Sequence, residues 1–166
     1  MYKVAIITLS DRASSGVYVD KSGAYLSAAF EKAGYDIVIR EILPDDEGSL
    51  IRLLNDATDL VDLIITTGGT GLSSRDITVK VIEKLMDYEV RGMSIALHQY
   101  SLEKSKGAMF SRALCAVIKK TLVITMPGSL KAVKELSQIF IPHLKHGLDH
   151  LHDIDVHNVP NLRCCK

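Results

Sequence analysis

Residues 63–78, LIITTGGTGLSSRDIT, hold the side chains and spacings best suited to chemistry. Gly68, Gly69 and Gly71 fall within four positions. Glycine reaches backbone angles closed to other residues and puts no side chain against an approaching ligand. Consecutive N–H groups in such a turn converge on one anion. Asp76 and Thr78 follow, with Thr78 placed to cap a helix. Amides beside a helix N-terminus favour a phosphate. This is not a Walker loop, because no Gly-Lys-Ser/Thr follows at the required distance. Nor is it a dinucleotide fingerprint, since Ser74 stands where a third glycine is needed. The same residues also suit a plain strand-to-helix turn with no ligand.

A second group of candidates lies near the C-terminus. His143, His146 and His150 are spaced three and four apart, so a helix puts them on one stripe. His152, His157, Cys164 and Cys165 follow. Imidazoles one turn apart can bind zinc or nickel, and Asp149 and Asp153 could join them. A solvated polar face is the simpler account. Cys115 reads as a core residue of a strand.

These residues must be positioned by alternating strands and helices. Residues 4–9 form an apolar run typical of a central parallel strand. A loop over 13–21 precedes a helix that opens at Ser22 or Gly23 and runs to about Lys32. Residues 36–43 form a second strand, ended by Pro44. Ser49 starts a second helix, and the third strand leads into the glycine loop. Helices follow over 79–86 and from about 92 to 103. A short strand over 114–118 and a clear one over 121–126 come next. Residues 130–141 return to helix, and Pro142 starts or kinks another through Leu151.

This alternation predicts an α/β fold: a three-layer domain with a mostly parallel central sheet and helices on both faces. Ligands in such sheets gather beyond the strand C-termini. Ser10-Asp11-Arg12, Pro44-Asp45-Asp46, the glycine loop and Pro127-Gly128-Ser129 each follow a predicted strand. Four polar clusters on one edge argue for a site more strongly than any one of them. The 166 residues suit one domain, read as 1–152, with a C-terminal tail over 153–166. Lys+Arg and Asp+Glu both number 20, so the chain lacks the charge excess of a nucleic-acid or membrane-surface binder. Tryptophan is absent and aromatics are 5%, too few for base-stacking platforms. No run reaches the length of a membrane span, no signal peptide is visible, and three cysteines build no disulfide framework. A cytoplasmic location is expected.

The ordered pieces TLSDR (8–12), DKSG (20–23), LPDD (43–46), TTGGTG (66–71), RDIT (75–78), SR (111–112) and MPGS (126–129) resemble the molybdopterin adenylyltransferase family, MogA/MoaB and the related domains of gephyrin. The resemblance covers roughly residues 3–151. It implies transfer of AMP from Mg²⁺-ATP to the terminal phosphate of molybdopterin, with release of pyrophosphate. It implies a homotrimer, and contact with the enzyme that later inserts molybdate. It makes Asp45 and Asp76 the catalytic, Mg²⁺-facing carboxylates. Ser10, Asp11, Gly68, Gly69, Thr70, Gly71, Ser74 and Arg75 become the nucleotide site. Ser111, Arg112 and Ser129 fall on the molybdopterin side. Without the resemblance, Asp45 is a turn former and Asp76 a helix cap or a partner for Arg75.

The chain departs from the family in places. Val79 and Lys80 stand where Pro and Glu are common, Arg91 where Pro is common, and Ile95 where many members have Glu. Residues 102–107 read LEKSKG in a segment that often holds Thr-Pro. Lys80 puts a cation near the phosphate loop, where it either aids anion binding or alters specificity. The rival functions are a molybdopterin carrier with little transferase activity, a scaffold, and another nucleotide-cleaving enzyme.

Overall fold

The computed structural model describes residues 1–154. In chain order it contains β1 (Lys3–Leu9), α1 (Asp11–Ser14), α2 (Lys21–Lys32), β2 (Asp36–Leu43), α3 (Glu47–Ala57), β3 (Leu63–Thr67), α4 (Thr78–Leu85), β4 (Tyr88–Glu89) and α5 (Arg91–Lys104). A 3-10 turn (Lys106–Phe110), β5 (Cys115–Ile118), β6 (Thr121–Met126) and α6 (Leu130–Leu151) complete it. The six strands form one sheet in the order β2-β1-β3-β6-β5-β4. The first four are mutually parallel, and β5 and β4 extend the sheet antiparallel to their neighbours.

Strand side chains alternate between faces, and the two cores follow that period. Val4, Ile6, Leu63, Ile65 and Ile124 pack under Leu26, Phe30, Leu97, Leu136 and Leu144, from α2, α5 and α6. Ala5, Ile7, Ile64 and Val123 pack under Leu50, Leu54, Val81 and Ile82, from α3 and α4. Both faces of β3 and β6 are therefore covered, and every residue of those strands is buried. This is why they read as continuous apolar runs. The expected three-layer α/β domain with a mostly parallel sheet is present.

Several local expectations need correction. Residues 11–14 form the helical turn α1, capped by Ser10, rather than entering a loop directly. Helix α3 begins at Glu47 under an Asp46 cap, two residues before Ser49. Strand β4 has no counterpart among the expected elements; two residues are too few to carry a period. Helix α6 runs unbroken through Pro142. Pro142 is exposed, so the carbonyl left without its N–H partner can turn toward solvent. Among the described residues no helix is long and apolar enough to cross a membrane.

Candidate active site

Leu9, Leu43, Thr67 and Met126 end the four parallel strands on one edge, and the loops beyond them are laced together. The Ser10 N–H donates to the Leu43 carbonyl (2.9 Å), and the Gly68 N–H to the Met126 carbonyl (3.0 Å). The Thr67 hydroxyl donates to the Pro127 carbonyl at 2.9 Å. Asp11 and Asp45 bind each other reciprocally: the Asp45 N–H meets Asp11 Oδ1 at 3.0 Å, and the Asp11 N–H meets Asp45 Oδ2 at 3.3 Å. Arg75, arriving from the glycine loop, pairs with the Asp11 carboxylate. The sequence-predicted residues from β1, β2 and β3 thus meet in one place. Ser10 spends its hydroxyl on the Ala13 N–H of α1 (3.2 Å). Ser74 is exposed and makes no side-chain hydrogen bond among the described residues.

The glycines answer to packing as well as to any ligand. Gly68 (φ +95°) and Gly69 (φ +65°) are left-handed. A Cβ on Gly68 would sit 2.3 Å from the Leu9 carbonyl oxygen, and one on Gly69 would sit 2.3 Å from Thr78 Oγ1. Thr78 does not cap α4. Its hydroxyl donates to the Gly68 carbonyl at 2.8 Å, and its N–H donates to the Gly69 carbonyl at 3.1 Å. Helix α4 starts with no side-chain cap, so beyond the Thr78 N–H its Val79 and Lys80 amides have no acceptor among the described residues. No described residue accepts from the N–H groups of Gly69, Thr70 or Gly71.

Asp76 faces back across the loop. Its Oδ2 accepts the Ser73 N–H at 2.8 Å. It lies 2.9 Å from where a Gly71 Cβ would be, so only glycine leaves that carboxylate in place. Burial raises the Asp45 carboxyl above its ordinary range, and the negative charges of Asp11 and Asp76 add to this. The Asp11 amide and Arg75 oppose it. Asp11 and Asp45 are thus paired on this edge, Asp76 is near enough for its charge to act on Asp45, and Arg75 is the neighbouring cation.

Next to the loop lies a cavity of about 430 Å³, within the range of small-molecule sites. Thr70 and Gly71 form one wall, and Ser111, Pro127 and Ser129 form others. Tyr100, Phe110, Lys131 and Glu135 also line it. Sequence reading missed these four as site residues. The signals available were the cation just after MPGS and the exposed Phe110. Ser129 caps α6, accepting from the Ala132 N–H at 3.2 Å. Arg112 does not line this cavity. It donates to the main-chain oxygens of Gly71 and Asp76, both at 2.7 Å. A further support went unseen: buried Asp20 caps α2 and accepts the Thr8 hydroxyl at 2.8 Å, behind the site.

The remaining candidates separate from this edge. Lys80 is bound to Glu47, a carboxylate it shares with Lys84, and this ties α4 to α3. His146 and His150 pack edge to face at 4.5 Å, and His143 lines an apolar cavity with Phe140 and Leu144. Among the described residues no three His, Cys, Asp or Glu side chains form a group able to hold a metal. His157, Cys164 and Cys165 lie outside the described residues. Cys115 is buried in β5 as expected, and burial pushes its thiol up to about 12.

Comparison with known proteins agrees with this fold. Residues 5–146 match the MoCF_biosynth family model, described as a probable molybdopterin binding domain. The chain is 32% identical over 154 residues to a molybdopterin adenylyltransferase of Pyrococcus furiosus, covering 90% of each. It is 32% identical over 156 residues to a gephyrin of Dictyostelium discoideum, covering 87% of this chain but 22% of that longer protein. The molybdopterin biosynthesis enzyme MoaB from Thermus thermophilus superposes with a TM-score of 0.85 at 30% identity, covering 92% of this chain and 98% of that one. With the loops, the paired aspartates and the cavity sharing one sheet edge, the chain belongs to the MoCF_biosynth family of molybdenum cofactor biosynthesis.

Proposed function

We propose that this protein transfers AMP from Mg²⁺-ATP to the terminal phosphate of molybdopterin. The observation that carries the reading is the shared wall: Thr70 and Gly71 border the cavity, while the same loop presents unpaired amides and Asp76. A nucleotide on the loop and a pterin in the cavity would be adjacent. Pyrococcus furiosus and Haemophilus influenzae relatives named molybdopterin adenylyltransferase, at 32% and 34% identity, support it.

The chemistry follows from charge. A phosphate monoester is largely ionised near neutral pH, so its oxygen attacks the α-phosphorus without a strong base. The new P–O bond forms as the bond to the β-phosphate breaks, and the electron pair leaves on pyrophosphate. The obstacle is the approach of two polyanions, so the protein's work is positioning and neutralisation. The amides of Gly69, Thr70 and Gly71 hold nucleotide phosphates. The Gly68 amide is committed to Met126, so Gly68 shapes the loop and does not bind. Ser111, Ser129 and Lys131 face the pterin and its phosphate from the cavity walls.

Asp45 and Asp76 fit a magnesium ion. Both are hard oxygen donors, and Asp45 sits where burial and neighbouring carboxylates disfavour its bare charge. Magnesium is commonly held by one or two carboxylates plus water and substrate phosphates, so a pair suffices where a closed cage is absent. Bound with the nucleotide, the ion neutralises phosphate charge. Asp11 and Arg75 hold Asp45 and the loop in register. The working form is a cytoplasmic homotrimer that hands its product to a molybdate-inserting partner. Sedimentation tests the trimer: a monomer at micromolar concentration would remove it.

The decisive experiment mixes purified protein with molybdopterin, Mg²⁺ and ATP and looks for adenylylated molybdopterin and pyrophosphate. Product from wild type but not from Asp76→Asn supports the transferase. Tight molybdopterin binding without product establishes a carrier instead.

A further inference from the structure

Arg112 is the one predicted pterin-side residue that turns away from the cavity, and its contacts assign it another task. Its Nε donates to the Gly71 carbonyl and its Nη2 to the Asp76 carbonyl, each at 2.7 Å. Its own N–H donates to the Thr70 carbonyl at 2.8 Å. One residue therefore grips both ends of the loop from Gly71 to Asp76. Within that loop Asp76 closes back on the Ser73 N–H. The guanidinium suits this role because its rigid planar fork presents Nε–H and Nη2–H side by side, a fixed geometry that the freely rotating ammonium of lysine lacks.

The other side of Arg112 is the cavity wall. The 3-10 turn Lys106–Phe110 and Ser111 run directly into it, and Gly107, Ala108, Phe110 and Ser111 line the cavity. Behind Arg112 the chain is anchored: the Leu114 N–H meets Thr125 Oγ1 at 2.7 Å, and the Cys115 N–H meets Ser94 Oγ at 3.0 Å. With the chain held from residue 114 onward, the wall, Arg112 and the loop that carries Asp76 form one connected unit.

Resting on the transferase reading above, we propose that Arg112 is a positioning residue that couples the two substrate sites. Filling the cavity orders the 105–111 wall, Arg112 fixes the 71–76 loop, and the nucleotide then binds a loop already in place. Coupling of this kind is reciprocal, so nucleotide must tighten pterin binding by the same factor.

The test has two arms, each with Arg112→Lys, which keeps the charge and loses the fork, and Arg112→Gln. In the ligand-free protein, amide hydrogen exchange is followed at Ser73 and its loop neighbours. Faster exchange there in both variants, with unchanged exchange in β3 and β6, is expected; wild-type exchange in Arg112→Lys overturns the clamp. In the second arm, the Kd of α,β-methylene-ATP with Mg²⁺ is measured with and without molybdopterin. Wild type should show tightening of about 5-fold or more, typical of allosteric coupling. Both variants should show tightening near unity, and because their loop is looser they should bind the nucleotide alone more weakly than wild type while binding molybdopterin alone close to wild type. Full coupling in Arg112→Lys, or none in wild type, overturns the proposal. Failure of wild type to bind molybdopterin at all instead overturns the transferase reading, while the exchange arm still decides whether the clamp exists.

Discussion

Asp45 carries a conflict that its position explains. Burial and the charges of Asp11 and Asp76 raise its carboxyl, yet binding a cation requires it ionised. A raised folded-state value means the group opposes folding once ionised: its contribution is fullest below the ordinary carboxylate range and is lost as pH rises through the raised value. Asp45→Asn should therefore raise the melting temperature of the ligand-free protein at neutral pH while lowering AMP transfer on the order of 10²-fold. A lower melting temperature would show that the carboxylate is already compensated. The acid limb of the wild-type rate profile should also lie above the usual carboxylate range. Asp76→Asn should keep the fold and cost a similar factor in rate; wild-type turnover would remove Asp76 from the mechanism. Gly69 belongs to the same scale. Its left-handed φ alone costs another residue about 1–3 kcal/mol, and a Cβ would also strike Thr78 Oγ1. Gly69→Ala should lower both stability and nucleotide affinity, read by denaturant unfolding and calorimetry. Both aspartates and the glycines were legible in the sequence as residue types. That Thr78 binds the loop rather than capping α4 was not, because its acceptor depends on how the two glycines turn. Arg112 was legible as a cation; its acceptors lie 36 and 41 positions away, beyond any local pattern.

At the scale of elements, legibility followed the length of the hydrophobic period. Strands β1, β3 and β6 are long, apolar and buried on both faces, so their runs are unambiguous. Strand β4 is two residues and α1 four, about one period each and too short to repeat a pattern. Helix α6 shows the opposite failure. Proline is a strong breaker in isolation, yet Leu136, Phe140, Leu144 and Leu148 carry one apolar stripe straight across Pro142. Tertiary burial along that stripe outweighs the missing hydrogen bond. The same helix holds Gly147, exposed, with no atom within 4 Å of the point where a Cβ would sit. Gly147→Ala should stabilise by about 0.5–1 kcal/mol, since a mid-helix glycine loses more backbone entropy than alanine. A raised denaturant midpoint with unchanged slope is the expected reading; no rise would mean the helix is already locked by its packing.

The whole molecule divides its labour between the two ends of the sheet. The C-terminal edges of the parallel strands hold left-handed glycines, unpaired amides and crowded carboxylates. The opposite end ties the start of the chain to α6. The Tyr2 hydroxyl donates to Asp149 at 2.6 Å, Lys145 pairs with the same carboxylate at 2.8 Å, and His152 lies 3.2 Å from Asp62. Burial alone would raise Asp149, but the hydrogen bonds from Lys145 and Tyr2 outweigh it and hold the carboxyl below its ordinary range. A lowered folded-state value gives stability that is present above the ordinary range and lost as pH falls through the lowered one. Asp149→Asn keeps an acceptor for Tyr2 and loses the ion pair. It should cost about 1 kcal/mol at neutral pH, the difference between a charge-assisted hydrogen bond and a neutral one together with a solvent-screened ion pair. That difference should shrink as the solution is acidified. AMP transfer below the melting transition should stay at the wild-type rate, because no residue of this cluster reaches the loop edge. Melting curves across pH, paired with a transfer assay at one temperature, separate the two ends. A rate that fell with Asp149→Asn while the fold stayed intact would mean that the sheet transmits strain between its edges.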